Sequence, residues 1–250
     1  MKKVLTLAAI VLASAGNAMA LGIFDDLKYQ VRLGYNIGGT APVGMPASIR
    51  SLEEFKPKNN MVLALDAYKP LPNNWGIMAG FHYENKGMHT NAKVKNYHME
   101  MRYGDQPIEG MFTGNVVTDV QEWMVTLPLL ATYDVNHNVR LKGGPYFSYV
   151  MSNNFSGYAY NGYLRTGDPT GPKVSLGAAE SDRGDYDFTE DLRHWQFGVD
   201  VGVDWYFSKH FGCYADLKWG LTSVFRDYFT TIEQKLYPIY GTVGVTYRLK

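Results

Sequence analysis

The sequence predicts an all-β protein, an eight-stranded antiparallel up-and-down transmembrane β-barrel. Three observations support this: strict alternation of apolar and polar residues, very unequal connections between the alternating segments, and the chemistry of the polar face. From His194 to Phe207 the odd positions are Trp, Phe or Val, and the even positions are Gly, Asp and other polar residues or Tyr. A period of two places the two sets on opposite faces of a β-strand.

The same alternation recurs along the chain in eight segments, an even number, as is usual for an antiparallel membrane barrel. Tight turns rich in Asn, Pro, Ser and His join three pairs of segments into hairpins. The predicted strands are 28–38, 61–69, 75–86, 122–133, 139–152, 194–207, 211–225 and 236–250.

The connections alternate between turns of a few residues and long segments. Long structureless loops are uncommon inside compact soluble domains. Short turns at one end and long loops at the other are typical of outer-membrane barrels, with turns in the periplasm and loops outside the cell. The predicted extracellular loops are about 39–60, 87–121, 153–191 and 226–235.

The apolar face is predicted to contact lipid rather than a protein core. Trp195 and Trp205 share this face ten residues apart, which is roughly 25 Å along the membrane normal at about 3.3 Å per residue and a tilt near 40°. That matches the height of an apolar band between two aromatic girdles. Glycines lie on the polar face, where they relieve crowding inside a narrow barrel. The predicted girdle residues are Trp75, Trp123, Trp195, Trp205 and Trp219.

The polar face carries charges of both signs, which predicts a lumen filled by paired side chains. An eight-stranded barrel is just wide enough for its own side chains, so a wide aqueous pore is not expected. Asp200 and Asp204 in particular need basic partners on facing strands. The predicted network is Arg32, Lys86, Arg140, Lys142, Lys218 and Arg248 with Asp66, Glu84, Glu122, Asp200, Asp204 and Asp216.

The N-terminus is typical of an exported protein. Lys2 and Lys3 precede a short apolar run and small residues, which predicts a signal peptide over 1–20, followed by a short periplasmic segment over 21–27 and the barrel over 28–250. No helical membrane span is expected. Removing the two lysines takes 24 basic residues to 22 against 24 acidic ones, which gives no footprint for nucleic acid. Cys213 is the only cysteine, so no intramolecular disulfide is possible.

Three segments resemble a known family in order and spacing: LDAYKPLPNNWGIMAGFHYENKG, EWMVTLPLLATYDVNHNVRLKGGPYFSYVM and HWQFGVDVGVDWYFSKHFGCYADLKWGLTSVF. They are similar to the PorT-like outer-membrane β-barrel family, often labelled "porin family protein". The motifs are Gly80 to Gly87, Pro128 to Leu130, Gly144 to Tyr146 and Gly198 to Gly202. The resemblance implies an outer-membrane barrel and supplies no shared catalytic residues. Some members are linked to secretion or gliding machinery.

Catalytic chemistry is not expected, although some outer-membrane barrels modify lipid A. The residues that raise this alternative are His82 and Glu84 on one predicted strand, and His194 with Ser148 or Ser152 on others. Mutual pairing of lumen polar groups is the preferred interpretation. No cofactor and no metal site are expected, because the six histidines lack ligand spacing. The acidic segment 182–191 is interpreted as a solvated loop, with calcium binding as the alternative.

The expected function is therefore that of a monomeric barrel in a Gram-negative outer membrane, with a structural or surface-interaction role carried by its extracellular loops. A narrow channel for small solutes is the first alternative, and a lipid A-modifying enzyme is the second. Expected partners are outer-membrane lipid and lipopolysaccharide, the barrel-assembly machinery during biogenesis, and an unknown extracellular protein or ligand.

Overall fold

The fold is taken from a computed structural model, which describes residues 26–44, 46–104, 106–167, 169–232 and 234–249. The predicted signal peptide 1–20 and all but the last two residues of 21–27 lie outside the described residues. Where the chain is described, no helix is both long and apolar enough to cross a membrane.

The described chain is built from eleven strands and one short 3₁₀ turn, Thr189–Asp191. In chain order the strands are β1 Lys28–Pro42, β2 Ile49–Pro57, β3 Met61–Pro70, β4 Trp75–Tyr103, β5 Gln106–Asp134, β6 Val139–Thr166, β7 Lys173–Leu176, β8 Gly184–Asp187, β9 Trp195–Tyr206, β10 Phe211–Gly220 and β11 Leu236–Arg248.

Eight of these strands form a closed antiparallel ring, which confirms the predicted fold class. The order around the ring is β4, β3, β1, β11, β10, β9, β6 and β5, and the pairing of β5 with β4 closes it. The first and last strands meet along their whole length, from Gln30 opposite Arg248 to Pro42 opposite Leu236. Strands β2, β7 and β8 add to the ring at one end.

Three tight turns define one end of the barrel, called here the turn end. Asn73 and Asn74 both adopt positive φ between β3 and β4, a conformation that Asn tolerates better than most residues. Between β5 and β6 the Asn136 side chain accepts hydrogen bonds from the backbone of Asn138 and Val139. Ser208 does the same between β9 and β10. The opposite end is called the loop end.

Strand faces follow the predicted alternation. In β9 the side chain of Val201 is 52% exposed on the outside, whereas Asp200 and Asp204 are fully buried inside. The exposed apolar rows continue around the ring, as expected for a surface solvated by lipid. They include Leu33, Ile37, Leu63, Leu65, Ile77, Phe81, Leu127, Leu129, Leu141, Phe147, Phe197, Val199, Leu217, Val243 and Val245.

Most of the segments predicted as long loops are strands instead. Strands β4 and β5 form one hairpin of 29 residues on each side, so 87–121 consists largely of two paired strands, which remain paired as far as Tyr103 opposite Gln106. β2 lies within 39–60, and the upper part of β6 with β7 and β8 lies within 153–191. Of the four predicted loops, 226–235 is the one whose described residues, 226–232 and 234–235, contain no helix or strand. These strands beyond the ring, 88–103, 106–120 and 153–166 with β2, β7 and β8, are called the extension.

The alternation that identifies the ring strands does not identify the extension, because the inward face changes from charged to apolar along a continuous strand. On β4 the inward residues run from Glu84 and Lys86 to Met88 within two positions, and on β5 Glu122 is followed inward by Val120. A bulge at Asn96, with φ 53°, then moves the inward face from even to odd positions. Bulges shift the alternation in this way by adding one residue to one strand.

The extension has a hydrophobic core of its own. Strand β8 pairs with β6 and contacts β4 through Arg102 and Asp185, which folds the tall sheet around apolar side chains. The buried set is Met88, Val94, Met99, Met101, Phe112, Val116, Val120, Phe155, Ala159, Leu164, Leu176, Tyr186, Phe188, Leu192, Val224 and Phe225. The molecule therefore has a polar interior inside the ring and an apolar interior above it.

The two faces of β9 predict opposite responses to a change of charge. Val201→Lys places a cation on the lipid face and should destabilise the barrel in vesicles by about 2–4 kcal/mol. Asp200→Asn removes a charge from the interior and should cost below about 1 kcal/mol. Urea unfolding in lipid vesicles, followed by tryptophan fluorescence, measures both. A larger loss for Asp200→Asn than for Val201→Lys would contradict this assignment of faces.

Candidate functional site

The centre of the lumen is organised by Arg32 on β1. Its Nε lies 2.6 Å from Asp66 on β3, and its Nη2 lies 2.9 Å from Asp204 on β9. Asp216 on β10 is 3.6 Å from Nη1 and is shared with Lys142 on β6, at 2.8 Å. All five side chains are buried. The planar guanidinium of Arg32, whose N–H donors have a fixed geometry, thus links β1 to β3, β9 and β10.

A second cluster lies nearer the loop end. Glu84 on β4 accepts from Lys218 at 2.8 Å and lies 3.2 Å from Lys86. It also accepts hydrogen bonds from the Asn36 amide at 3.3 Å and from the Thr126 hydroxyl, which in turn bonds Ser148 at 2.7 Å. Every member is buried. The two clusters together occupy the middle of the lumen with paired charges.

The remaining predicted network residues have more varied surroundings. Arg140 pairs with Asp134 at 2.6 Å, and Glu122 accepts a hydrogen bond from Gln196 at 2.9 Å. Arg248 is half-buried at the turn end. The expectation that Asp200 has a basic partner is wrong. Its register neighbour Lys218 turns to Glu84 instead, and Asp200 makes no hydrogen bond or ion pair in the part of the chain described.

The predicted polar network leaves out a set of tyrosines that lie on the polar face of the strands. Arg140 lies 3.5 Å from the ring centre of Tyr68, and Arg248 lies 3.1 Å from that of Tyr206, close enough for cation–π attraction. The signal was available, because these tyrosines occupy polar-face positions of predicted strands. The lumen tyrosines are Tyr68, Tyr146, Tyr206, Tyr214 and Tyr240.

Two cavities flank the filled lumen. At the turn end a polar cavity of about 590 Å³ is lined by the turn residues and by basic side chains, among them Lys28, Arg140, Lys209 and Arg248. Within the extension an apolar cavity of about 480 Å³, called here the apolar pocket, lies directly above the second charge cluster. Met88, Val94, Met99, Val116 and Phe155 are among its lining residues.

Polar contacts outside the ring hold β2 and β5 in place around the apolar pocket. Asp119 on β5 lies 3.0 Å from Lys58, just after β2, and 3.1 Å from His89. Burial opposes its ionisation, but the hydrogen bonds and charges of Lys58 and His89 outweigh burial and lower the pKa of Asp119. Burial raises the pKa of the Tyr186 hydroxyl, which stays protonated and donates to the Val117 carbonyl at 2.7 Å.

Comparison with known families matches residues 16–226 to the family described as outer membrane protein beta-barrel domain. The chain belongs to this family. An outer-membrane location follows from this membership and agrees with the exposed apolar rows around the ring.

Solved barrels resemble this member of the family at low identity. Ail, the attachment invasion locus protein of Yersinia pestis, solved with the heparin analogue sucrose octasulfate, is 12% identical with a TM-score of 0.40, over 89% of this chain and 99% of that one. The translocator domain of autotransporter NalP from Neisseria meningitidis is 12% identical with a TM-score of 0.26, over 99% and 98%. The NanC porin is 11% identical with a TM-score of 0.26, over 88% and 100%. No curated protein matches.

The tryptophans of this outer-membrane barrel lie near both ends of the lipid-facing band. Trp75 and Trp205 lie at the turn end, where Trp75 packs on Tyr133 at 5.2 Å between ring centres. Trp123, Trp195 and Trp219 lie toward the loop end, and Trp195 stacks on Phe147 at 5.0 Å. Trp123 is the least exposed of the five and stacks on Tyr83 at 5.3 Å.

The residues considered for lipid A chemistry are not assembled around one nucleophile. His82 bonds Asp66 at 2.8 Å deep in the lumen and lies 3.5 Å from the Lys218 ammonium. His194 contacts the Val150 carbonyl at 3.2 Å. Ser148 bonds Thr126. Across the described ranges, neither histidine is hydrogen-bonded to a serine hydroxyl, and no group of three or more His, Cys, Asp or Glu side chains is arranged to hold a metal ion.

Removal of Arg32 should lower the free energy of unfolding far more than removal of Arg248, a basic residue at the turn end. Arg32→Met leaves buried carboxylates without their shared cation and should lower the free energy of unfolding by about 3–5 kcal/mol. Arg248→Met removes only a half-buried contact with a tyrosine ring and should cost about 0.5–1 kcal/mol. Urea unfolding in vesicles compares the two variants. Equal losses would refute the central role of Arg32.

Proposed function

We propose that this protein is an outer-membrane barrel with a closed lumen that acts at the cell surface, where the extension provides structure and a surface for interaction. The observation that carries the proposal is the change of the inward face from paired charges within the ring to a hydrophobic core above it. Passage of solutes through the lumen would not require an apolar core at its loop end.

The closed lumen is supported by the contacts of its charged residues. Arg32 and Lys142 together engage three carboxylates, and Glu84 engages two lysines, all buried. In an eight-stranded ring such side chains fill the interior. For this reason a narrow porin-like channel ranks below a non-conducting role.

The surface role is supported by the outer side of the extension. Tyr158 and Tyr160 lie 5.6 Å apart between ring centres, Arg183 lies 4.3 Å from the Tyr158 ring, and Lys173 lies 4.4 Å from the Tyr163 ring. Tyrosines with adjacent basic groups make adaptable contact surfaces, as in antibody loops. We infer that an extracellular protein or ligand contacts this face.

We also propose that the protein has a cleaved signal peptide over 1–20, a Gram-negative host, a PorT-like relationship within the family, and a monomeric state. Its further partners are membrane lipid, lipopolysaccharide and the barrel-assembly machinery. It binds no nucleic acid and acts without catalysis or a cofactor.

The proposed orientation predicts which end is reached from outside the cell. In a Cys213→Ala background, Glu100→Cys on the extension should react with a membrane-impermeant maleimide on intact cells. His137→Cys in a tight turn should react only after the cells are permeabilised. Mass spectrometry of the purified protein measures the labelled fraction. Labelling of His137→Cys on intact cells would reverse the orientation and remove the surface role.

The closed lumen predicts the absence of steady conductance. The purified protein, inserted into a planar lipid bilayer, should give no unitary openings under conditions in which a known porin in the same bilayer gives them. The charges inside the ring occupy the space that ions would need. Steady unitary openings would replace this proposal with the narrow channel.

A further inference from the structure

The wall of the barrel is split near the loop end, between β1 and β2. β1 and β3 pair up to Tyr35 opposite Met61, and the last backbone bond on this side runs from the Asn36 N–H to the Asn60 carbonyl at 2.8 Å. Beyond it β2 continues upward along β4, from Pro57 to Ile49. Among the described ladders none joins β1 to β2. This split between 38–42 and 49–57 is called the seam.

Among the described strands, none forms backbone hydrogen bonds with the edges of β1 and β2 that face the seam. The Thr40 N–H, which points toward the seam, donates to the Met88 sulfur at 3.4 Å instead of to a carbonyl. The absence of a side chain at Gly39 lets other groups approach: a Cβ there would lie 2.7 Å from the Met88 sulfur and 3.4 Å from the Phe55 ring. The Phe55 ring therefore lies across the seam without a strand ladder to hold it.

The apolar pocket lies directly behind the seam. Gly38 to Pro42 form one lip and Ile49, Leu52 and Phe55 the other, with Met88, Met99, Val116 and Phe155 within. None of the described residues that line it is charged, and its hydroxyl groups come from threonines and tyrosines. A volume of about 480 Å³ is within the usual range for small-molecule sites.

The seam opens at the edge of the lipid-facing band. Ile37 and Met61, immediately below it, are half-exposed members of the apolar outer rows, and Leu52 on its upper lip is 53% exposed. An apolar chain lying against the outside of the barrel therefore meets apolar side chains from the band to the pocket. A charged or bulky head group attached to such a chain can stay outside.

We propose that the apolar pocket binds a linear acyl chain that enters laterally through the seam. The uncharged lining excludes a ligand whose buried part is ionised, and the continuity with the lipid-facing band favours a chain over a compact polar molecule. The chain belongs either to a membrane lipid or to a free fatty acid. This site is separate from the surface-interaction role proposed above and stands independently of it.

Binding of a fluorescent fatty acid tests the pocket. The probe is dansyl-labelled undecanoic acid, added to the full barrel in the steroid detergent CHAPS, which has no long alkyl tail to compete. The dansyl emission should rise and shift to the blue on binding. Displacement by saturated fatty acids of increasing length should strengthen by up to about fourfold per added methylene until the pocket is filled. Displacement that does not depend on chain length would overturn the proposal.

Two neighbouring residues provide a matched pair of variants. Ala92 lines the pocket, opposite Leu52 and Val116 in the sheet, and the adjacent Lys93 points outward. Ala92→Trp fills the pocket and should weaken probe binding at least tenfold, whereas Lys93→Trp should leave it unchanged. Thr90→Phe, also in the lining, is the second filling variant. Heat-modifiable gel mobility shows which variants are folded.

The outcomes separate the proposal from unspecific adsorption. Unchanged binding in a folded filling variant, or an equal loss in Lys93→Trp, overturns the pocket as the site. Competition with lipid A and with dodecanoate in the same detergent identifies the source of the chain. Displacement by lipid A supports a membrane lipid, and displacement by dodecanoate alone supports a free fatty acid. Displacement by neither overturns the proposal.

Discussion

The barrel depends on the neutralisation of Arg32. A ring of eight strands leaves no room for solvated charges, so the guanidinium on β1 and its carboxylates on β3, β9 and β10 stabilise the interior only together. Breaking a buried pair leaves an uncompensated charge. The glycines on the polar face follow from the same constraint. A Cβ at Gly80 would collide with the Asp66 carboxylate, and one at Gly202 would collide with that of Asp216. The arrangement of Arg32 and its carboxylates therefore determines both how the charges inside the ring are paired and where only glycine fits.

The change of polarity along single strands divides the molecule without a linker. Within the ring the strands have apolar outsides and polar insides, as lipid requires. Two residues beyond Lys86 on β4, at Met88, and two residues before Glu122 on β5, at Val120, the inside becomes apolar, as in a soluble protein. The extension is thus continuous with the membrane ring through β4, β5 and β6. The apolar pocket lies at the level where the polar interior gives way to the apolar one. That position explains why lipid-facing and pocket-lining surfaces come so close together.

The sequence was sufficient for the ring and insufficient for the extension, for a physical reason. In Trp195–Tyr206 every second residue reports the same environment, so period and faces were readable. Beyond Lys86 the outside is water and the inside is apolar, and the bulge at Asn96 interrupts the period. A search for strands with apolar outsides reads such a segment as a loop. Phe112, Val116 and Val120 share the inward face, but Gly114 and Thr118 lie between them and Val117 lies on the other face, so the apolar period is weak. The partner of Lys218 and the seam depend on packing between distant strands, which no local pattern carries.

Pairing of the first strand with the last has a consequence for biogenesis. Until 236–248 reaches β1, the unfinished sheet has two edges, β1 and β10, and each carries a row of unbonded peptide groups that hydrocarbon cannot solvate. The long β4–β5 hairpin, by contrast, joins near neighbours in the chain and can form early, since loop-closure cost grows with sequence separation. The sheet therefore becomes stable in lipid only after the whole polypeptide, including β11, has reached the membrane. A chain halted before β11 is a substrate for proteolysis rather than a smaller barrel.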